Sequence, residues 1–167
     1  MYLTSLLAAT DYVGMSFWLA TAIMLASTVF FFVERGDVSG KWRTSMTVAG
    51  LVTGIAFWHY LYMREAHLAG EVTTVFRYID WLITVPLQIV EFYLILAAVT
   101  IVPLLLFWKL LGASLLMLIF GFLGETGLFD TTLAFLFGVA AWGYIIYEVF
   151  LGEASKLSQA SANAGGQ

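Results

Sequence analysis

Cysteine is absent from the 167 residues. That excludes disulfides, thiol catalysis and cysteine-based metal sites together. Charge is scarce too: Asp, Glu, Lys and Arg make up 11% of the chain, where a soluble domain carries about a quarter. The net charge of −4 comes with no basic run, which argues against a nucleic-acid partner. Sequence repeats of about 20 to 50 residues are missing, and so are a glycine-rich phosphate loop, HExxH and GxSxG, so soluble enzyme chemistry finds no foothold. The alternating segments of about ten residues that mark a membrane barrel are also lacking. What remains is 62% hydrophobic, with a mean hydropathy of +0.94, arranged in long continuous blocks as membrane helices are.

These blocks predict an all-α polytopic membrane bundle of five spans. Helix A runs from about Asp11 to Val33 with Asp11 as N-cap, and helix B from about Thr44 to Met63. Helix C runs from about Thr74 to Ala98, capped by Thr73 or Thr74. The block from Phe92 to Leu123 exceeds one span of about 20 residues. Thr100 and Pro103 are the natural break, since proline suits a first helical turn. Helix D then runs from about Pro103 to Leu123, and helix E from about Thr131 to Leu151. The chain thus divides into a helical part, 1–152, and a polar tail, 153–167, expected to be mobile or to begin a further loop. The start "MYLTSLLAATDYVG", mildly apolar over Leu6 to Ala9, has no basic n-region. Targeting is expected to use the first helix or a longer start.

Loop charges predict the orientation. Arg35, Lys41, Arg43, Lys109 and Lys156 fall on one side and only Arg64 on the other, with Arg77 inside helix C. Positive loops stay cytoplasmic, so the N-terminus is expected outside and the C-terminus inside. Arg64, His67, Glu71, Glu125 and Asp130 read as solvated loop charges.

One stretch breaks the apolar pattern. Residues 76–96 read "FRYIDWLITVPLQIVEFYLIL" and hold Arg77, Asp80, Gln88 and Glu91 around Pro86. At about 100° per residue, Asp80, Thr84 and Glu91 share one face, with Asp80 and Glu91 about 16 Å apart along the axis. They are too distant to share a proton and form two stations on one path. A charged Asp at mid-helix costs roughly 3 kcal/mol on insertion scales. Arg77, one turn away, is expected to offset this and keep Asp80 ionised. Glu91 has no cation on its face and is expected to rest protonated. An ionised acceptor and a neutral donor in line suit a proton relay, running from Glu91 outward to Asp80. A plain ion pair at i, i+3 and a Glu91 bonded to a neighbouring helix are the simpler alternatives. Pro86 is expected to bend the helix and free a carbonyl near Leu82.

"RYIDWLITVPLQIVEFYLIL" resembles helix C of the proteorhodopsins, marine bacterial members of the microbial rhodopsin family. "FWLATAIMLASTVFFFVER", "TGIAFWHYLYMR" and "YIIYEVFLGE" resemble helices A, B and E. The resemblance covers nearly the whole chain. It implies a seven-helix fold in the bacterial inner membrane, bound retinal and light-driven outward proton pumping: a transporter and photoreceptor, not an enzyme. By the same resemblance Asp80 is the counter-ion and primary proton acceptor, Thr84 and Glu91 complete an Asp–Thr–Glu triplet, and Glu91 is the proton donor. Arg77 stands beside the counter-ion, and His59 hydrogen-bonds the acceptor. Trp81, Met117 and Trp142 are implied to line the retinal pocket. Gln88 falls at the colour-tuning position, where glutamine goes with blue absorption and leucine with green. Trp18 is implied to meet the histidine, here His59, of a neighbouring protomer in a homo-oligomeric ring built through helices A and B. Taken alone, His59 reads as a core histidine, the two tryptophans and Met117 as packing, and Gln88 as an interhelical hydrogen bond.

The sequence departs from the family in one respect. Five helices are present, and the family's retinal-bearing lysine lies on the seventh. Lys41, Lys109 and Lys156 are the only lysines, all at or near the expected cytoplasmic surface; Lys109 is expected to snorkel there. The sequence therefore reads as a portion of such a pump, truncated, split or degenerate. A light sensor of the same family and a non-pigmented five-helix membrane protein are the alternatives.

Overall fold

A computed structural model describes residues 10–38 and 40–164. The mildly apolar stretch Leu6 to Ala9 and the end of the tail, 165–167, lie outside the described residues. The described chain is helical throughout: α1 (Tyr12–Glu34), α2 (Lys41–Leu68), α3 (Thr74–Val99), α4 (Leu104–Glu125), α5 (Thr131–Phe150) and α6 (Glu153–Ala164). Five of these helices are long and apolar enough to cross a membrane. In lipid every backbone group must be bonded within its own segment, and a continuous helix achieves this. Even α3 stays helical through Pro86.

The helices pack as a row in chain order, α1 on α2, α2 on α3, α3 on α4 and α4 on α5. The second helix is the centre of this half of the row. Its buried residues Ser45, Val52, His59 and Ala66 repeat every seven positions, with Ala49, Ala56 and Met63 between them. This is the seam of a helix gripped on two sides. Small residues bring the helices close. A Cβ at Gly50 would lie 3.0 Å from the Phe32 ring, and Thr28 Oγ1 donates to Thr53 Oγ1 at 3.0 Å across α1 and α2. Such pairings hold membrane helices together where lipid removes the hydrophobic drive.

The ends follow local chemistry. Asp11 caps α1, its Oδ1 accepting from Gly14 N at 2.8 Å. That bond, aided by His67, lowers its carboxyl below the usual range although burial opposes the shift. Asp130 caps α5 through Leu133 N at 2.9 Å. The end of α2 is a Schellman motif: Gly70 N donates to His67 O at 3.0 Å and Glu71 N to Ala66 O at 2.8 Å. Gly70 takes φ 73°, a left-handed value glycine adopts without strain.

Three boundaries differ from the sequence expectation. The second helix extends to Lys41 and Leu68, so Lys41, Arg43, Arg64 and His67 are helical. Pro103 is the N-cap of α4 instead of its first helical residue. The polar tail, expected to be mobile, forms α6 at Glu153–Ala164 and lies against α5 and α3. Ala154 is 2% exposed and packs with Leu96, Val102, Leu106 and Leu110. Ser161 Oγ donates to Val99 O at 3.0 Å, and Lys41 Nζ to Ala97 O at 2.9 Å. The last carbonyls of α3 are satisfied this way, which a bare helix end would lack.

Candidate functional site

The polar line of α3 faces the inside of the row. Asp80 is 5% exposed and Thr84 4%, and His59 of α2 is 5% exposed beside them. Thr84 lies one turn below Asp80 and returns its Oγ1 to Asp80 O at 2.9 Å, so its hydroxyl serves the backbone. Glu91 follows on the same face, half-buried.

His59 Nδ1 stands 3.3 Å from Asp80 Oδ1 and 3.0 Å from Ile55 O. A ring nitrogen carries one hydrogen, and the Ile55 carbonyl takes it. Asp80 Oδ1 is left buried without a hydrogen-bond donor among the described residues. The expected hydrogen bond between His59 and the acceptor is therefore an electrostatic contact here.

Arg77 does not offset Asp80 as expected. Its guanidinium turns to the far end of α4, where Nη2 meets Glu125 Oε1 and Thr74 Oγ1 at 3.2 Å. Thr74 Oγ1 also donates to Glu125 at 2.9 Å. Glu125 is thus a partner in a three-way junction between α3 and α4, where its loop-edge position suggests a solvated charge. A carboxylate 48 residues away in sequence is the nearer match for a long side chain that leaves α3 pointing away from its own Asp80.

Beside this line runs an aromatic trough. One cleft of about 330 Å³ is lined by Tyr78, Trp81, Val85 and Met117. A second, of about 360 Å³, is lined by Met117, Phe135, Gly138 and Trp142. Met117 and Gly121 border both, joining them along α4. Gly121 lets α3 and α4 approach closely here: a Cβ there would lie 2.8 Å from the Tyr78 hydroxyl, which would have to move. The trough brings Trp81, Met117 and Trp142 together on one surface. Gln88 sits one turn beyond Val85 on the same stripe of α3 and is exposed. Tyr78 is a lining residue that the sequence reading missed. Its signal was available, since it lies on the Trp81 side of α3 and stacks edge-on to Trp81 with centroids 5.2 Å apart.

The three lysines lie elsewhere. Lys41 reaches the end of α3, Lys109 lies 3.7 Å from Glu153 of α6, and Lys156 is exposed on α6. Trp18 is 52% exposed on α1, with the Arg64 guanidinium 4.3 Å above its ring. His59 is covered by Trp58, ring centroids 5.4 Å apart.

A row of membrane helices with buried His59, Asp80 and Thr84 beside an aromatic trough defines a class that comparison with known proteins names. The profile of the family described as bacteriorhodopsin-like protein matches residues 11–165, and the chain belongs to that family. Within it, the chain is 65% identical over 145 residues to the blue-light absorbing proteorhodopsin of Gamma-proteobacterium Hot 75m4, covering 86% of this chain and 58% of that protein. It is 60% identical over 159 residues to the green-light absorbing proteorhodopsin of Gamma-proteobacterium EBAC31A08, covering 95% and 64%. The crystal structure of the blue light-absorbing proteorhodopsin from Med12 superposes with a TM-score of 0.77 at 67% identity, over 90% of this chain and 73% of that one. The chain thus spans less than two thirds of the length of the first two relatives.

Proposed function

We propose that this chain forms part of a retinal-binding, light-driven outward proton pump, with Asp80 as counter-ion and proton acceptor and Glu91 as donor. One observation carries the reading. A buried carboxylate oxygen without a donor, Asp80 Oδ1, lies on the helix that lines an apolar aromatic trough. Buried polar atoms are almost always paired, and a cationic group entering from the trough side would complete this one. The names of the relatives, both light-absorbing proteins, support a chromophore.

The trough fits retinal: Trp81, Met117 and Trp142 offer rigid faces that pack a flat polyene at little entropic cost. Bound as a protonated Schiff base, retinal would supply light absorption and an N–H proton whose acidity rises on excitation. Asp80 takes the proton at Oδ1, with His59 adjacent. Glu91 holds a proton on the same face for return from the other side. Arg77 and Glu125 lie beyond Asp80 on the outward path. Lys41, Lys109 and Lys156 gather at the opposite end, which supports an inward-facing C-terminus in the bacterial inner membrane. Exposed Trp18 supports a homo-oligomeric ring through α1 and α2.

The test expresses the protein with its complete coding sequence in bacteria supplied with retinal. Illumination should acidify the medium, and a protonophore should abolish the change. A visible pigment band without acidification would favour a light sensor, and the absence of any band would favour a non-pigmented membrane protein; either overturns the pump. Gln88→Leu should move the absorption maximum to longer wavelength, because it removes an amide dipole from beside the trough. An unmoved maximum would remove Gln88 from colour tuning.

A further inference from the structure

A second groove runs between α4 and α5 and shares no lining residue with the trough. It holds about 510 Å³. Its floor is made by Gly112, Ala113 and Ala141, and aromatic walls rise from Phe120 and Phe137. These residues recur at helical spacing on each helix, so the groove follows the bundle axis. A Cβ at Gly112 would meet nothing within 4 Å; the space above the floor is open.

Polar groups gather at one end only. Lys109 borders the groove there, and its Nζ lies 3.7 Å from Glu153 Oε2. The two side chains form an ion pair and are 38% and 37% exposed, so each charge keeps an open side for a further partner. Tyr144 also borders this end, but its hydroxyl is already given to Glu148 at 2.9 Å. An anionic head group alone would meet the Glu153 carboxylate, and a cation alone would meet the Lys109 ammonium. A head group carrying both signs satisfies both. A quaternary ammonium has no N–H to donate to a carboxylate, whereas a primary ammonium has three.

We propose that this groove is a phospholipid site for phosphatidylethanolamine. One acyl chain lies along the Gly112–Ala113–Ala141 floor, the phosphate meets Lys109, and the primary ammonium meets Glu153. The site is independent of the pump reading, since it uses none of the residues assigned to proton transfer or to the trough.

Native mass spectrometry tests it on the protein expressed with its complete coding sequence, stripped of lipid in detergent. Phosphatidylethanolamine, phosphatidylglycerol and phosphatidylcholine of matched chains are added separately at equal concentration. The ethanolamine lipid should give a single-lipid adduct about tenfold more abundant than either other lipid, as two partly exposed charge contacts can supply. Lys109→Met and Glu153→Gln should each erase that preference. Gly112→Leu fills the open floor and should remove the adduct. Equal adducts from all three lipids, a preference for phosphatidylglycerol, or an adduct retained in Gly112→Leu would each overturn the proposal. If Gly112→Leu fails to fold, Lys109→Met, which leaves the groove floor unchanged, decides.

Discussion

Asp80→Asn should reduce light-driven acidification by on the order of a hundredfold or more, the contribution of a positioned proton acceptor, while leaving the helices folded. The substitution keeps the size and shape of the side chain. It removes only the site at which a proton can be held. Asp80 is buried and Arg77 is committed to Glu125, so no cation of its own helix offsets an ionised carboxylate. The helical content should be unchanged, which separates loss of transport from loss of fold. Acidification in membrane vesicles and helical circular dichroism are measured on the same preparation. Pumping at the parent rate in Asp80→Asn would place the acceptor elsewhere and end the reading given to His59 and Thr84 as well.

Much of this arrangement was legible in the sequence because lipid imposes few solutions. Five apolar blocks became five helices, with Asp11 capping the first as its position suggests; Asp130, which reads as a solvated loop charge, caps the fifth. The periodicity of α3 put Asp80 and Thr84 on one buried face. Partners set by tertiary distance were not legible. Arg77 sits three residues from Asp80, and proximity in sequence suggests pairing, yet the guanidinium finds Glu125 from α4. The second helix shows the limit of composition at helix ends: Lys41 and Arg43 read as loop charges, but Lys41 begins the helix and caps the last turn of α3. The tail misled for a related reason. Its Ser, Ala, Gln and Gly content suggests mobility, but Ala154, Leu157 and Ser161 recur at helical spacing. Ala154 is buried and Leu157 packs against the same cluster. Glu148 had no sequence role, although a carboxylate late in an apolar span asks for partners. It finds them in the Tyr144 hydroxyl and in Glu153 N, both at 2.9 Å, and so fastens α6 to α5.

Those bonds allow the second large effect to be isolated. Glu91→Gln should slow the final recovery of the photocycle by about a hundredfold, the low end for a positioned proton donor, with the early, light-triggered steps unchanged. Glu91 is half-buried on the Asp80 face, about 16 Å along the helix, and the buried cluster of Leu96, Leu106, Leu110 and Ala154 follows toward the C-terminal end of α3. A neutral amide there keeps the packing but cannot release a proton. A small permeant weak acid, which delivers protons through that cluster, should restore much of the rate in the glutamine variant and change the parent little. Glu148→Gln is the control: it removes another acid, whose oxygens are both engaged by α5 and α6. It should lower thermal stability without a recovery defect that weak acid repairs. Equal recovery in the Glu91 variant and the parent, followed by flash absorption, would remove Glu91 from the relay. A defect that weak acid leaves untouched would recast Glu91 as a packing residue, because a missing proton can be supplied from solution and a missing contact cannot.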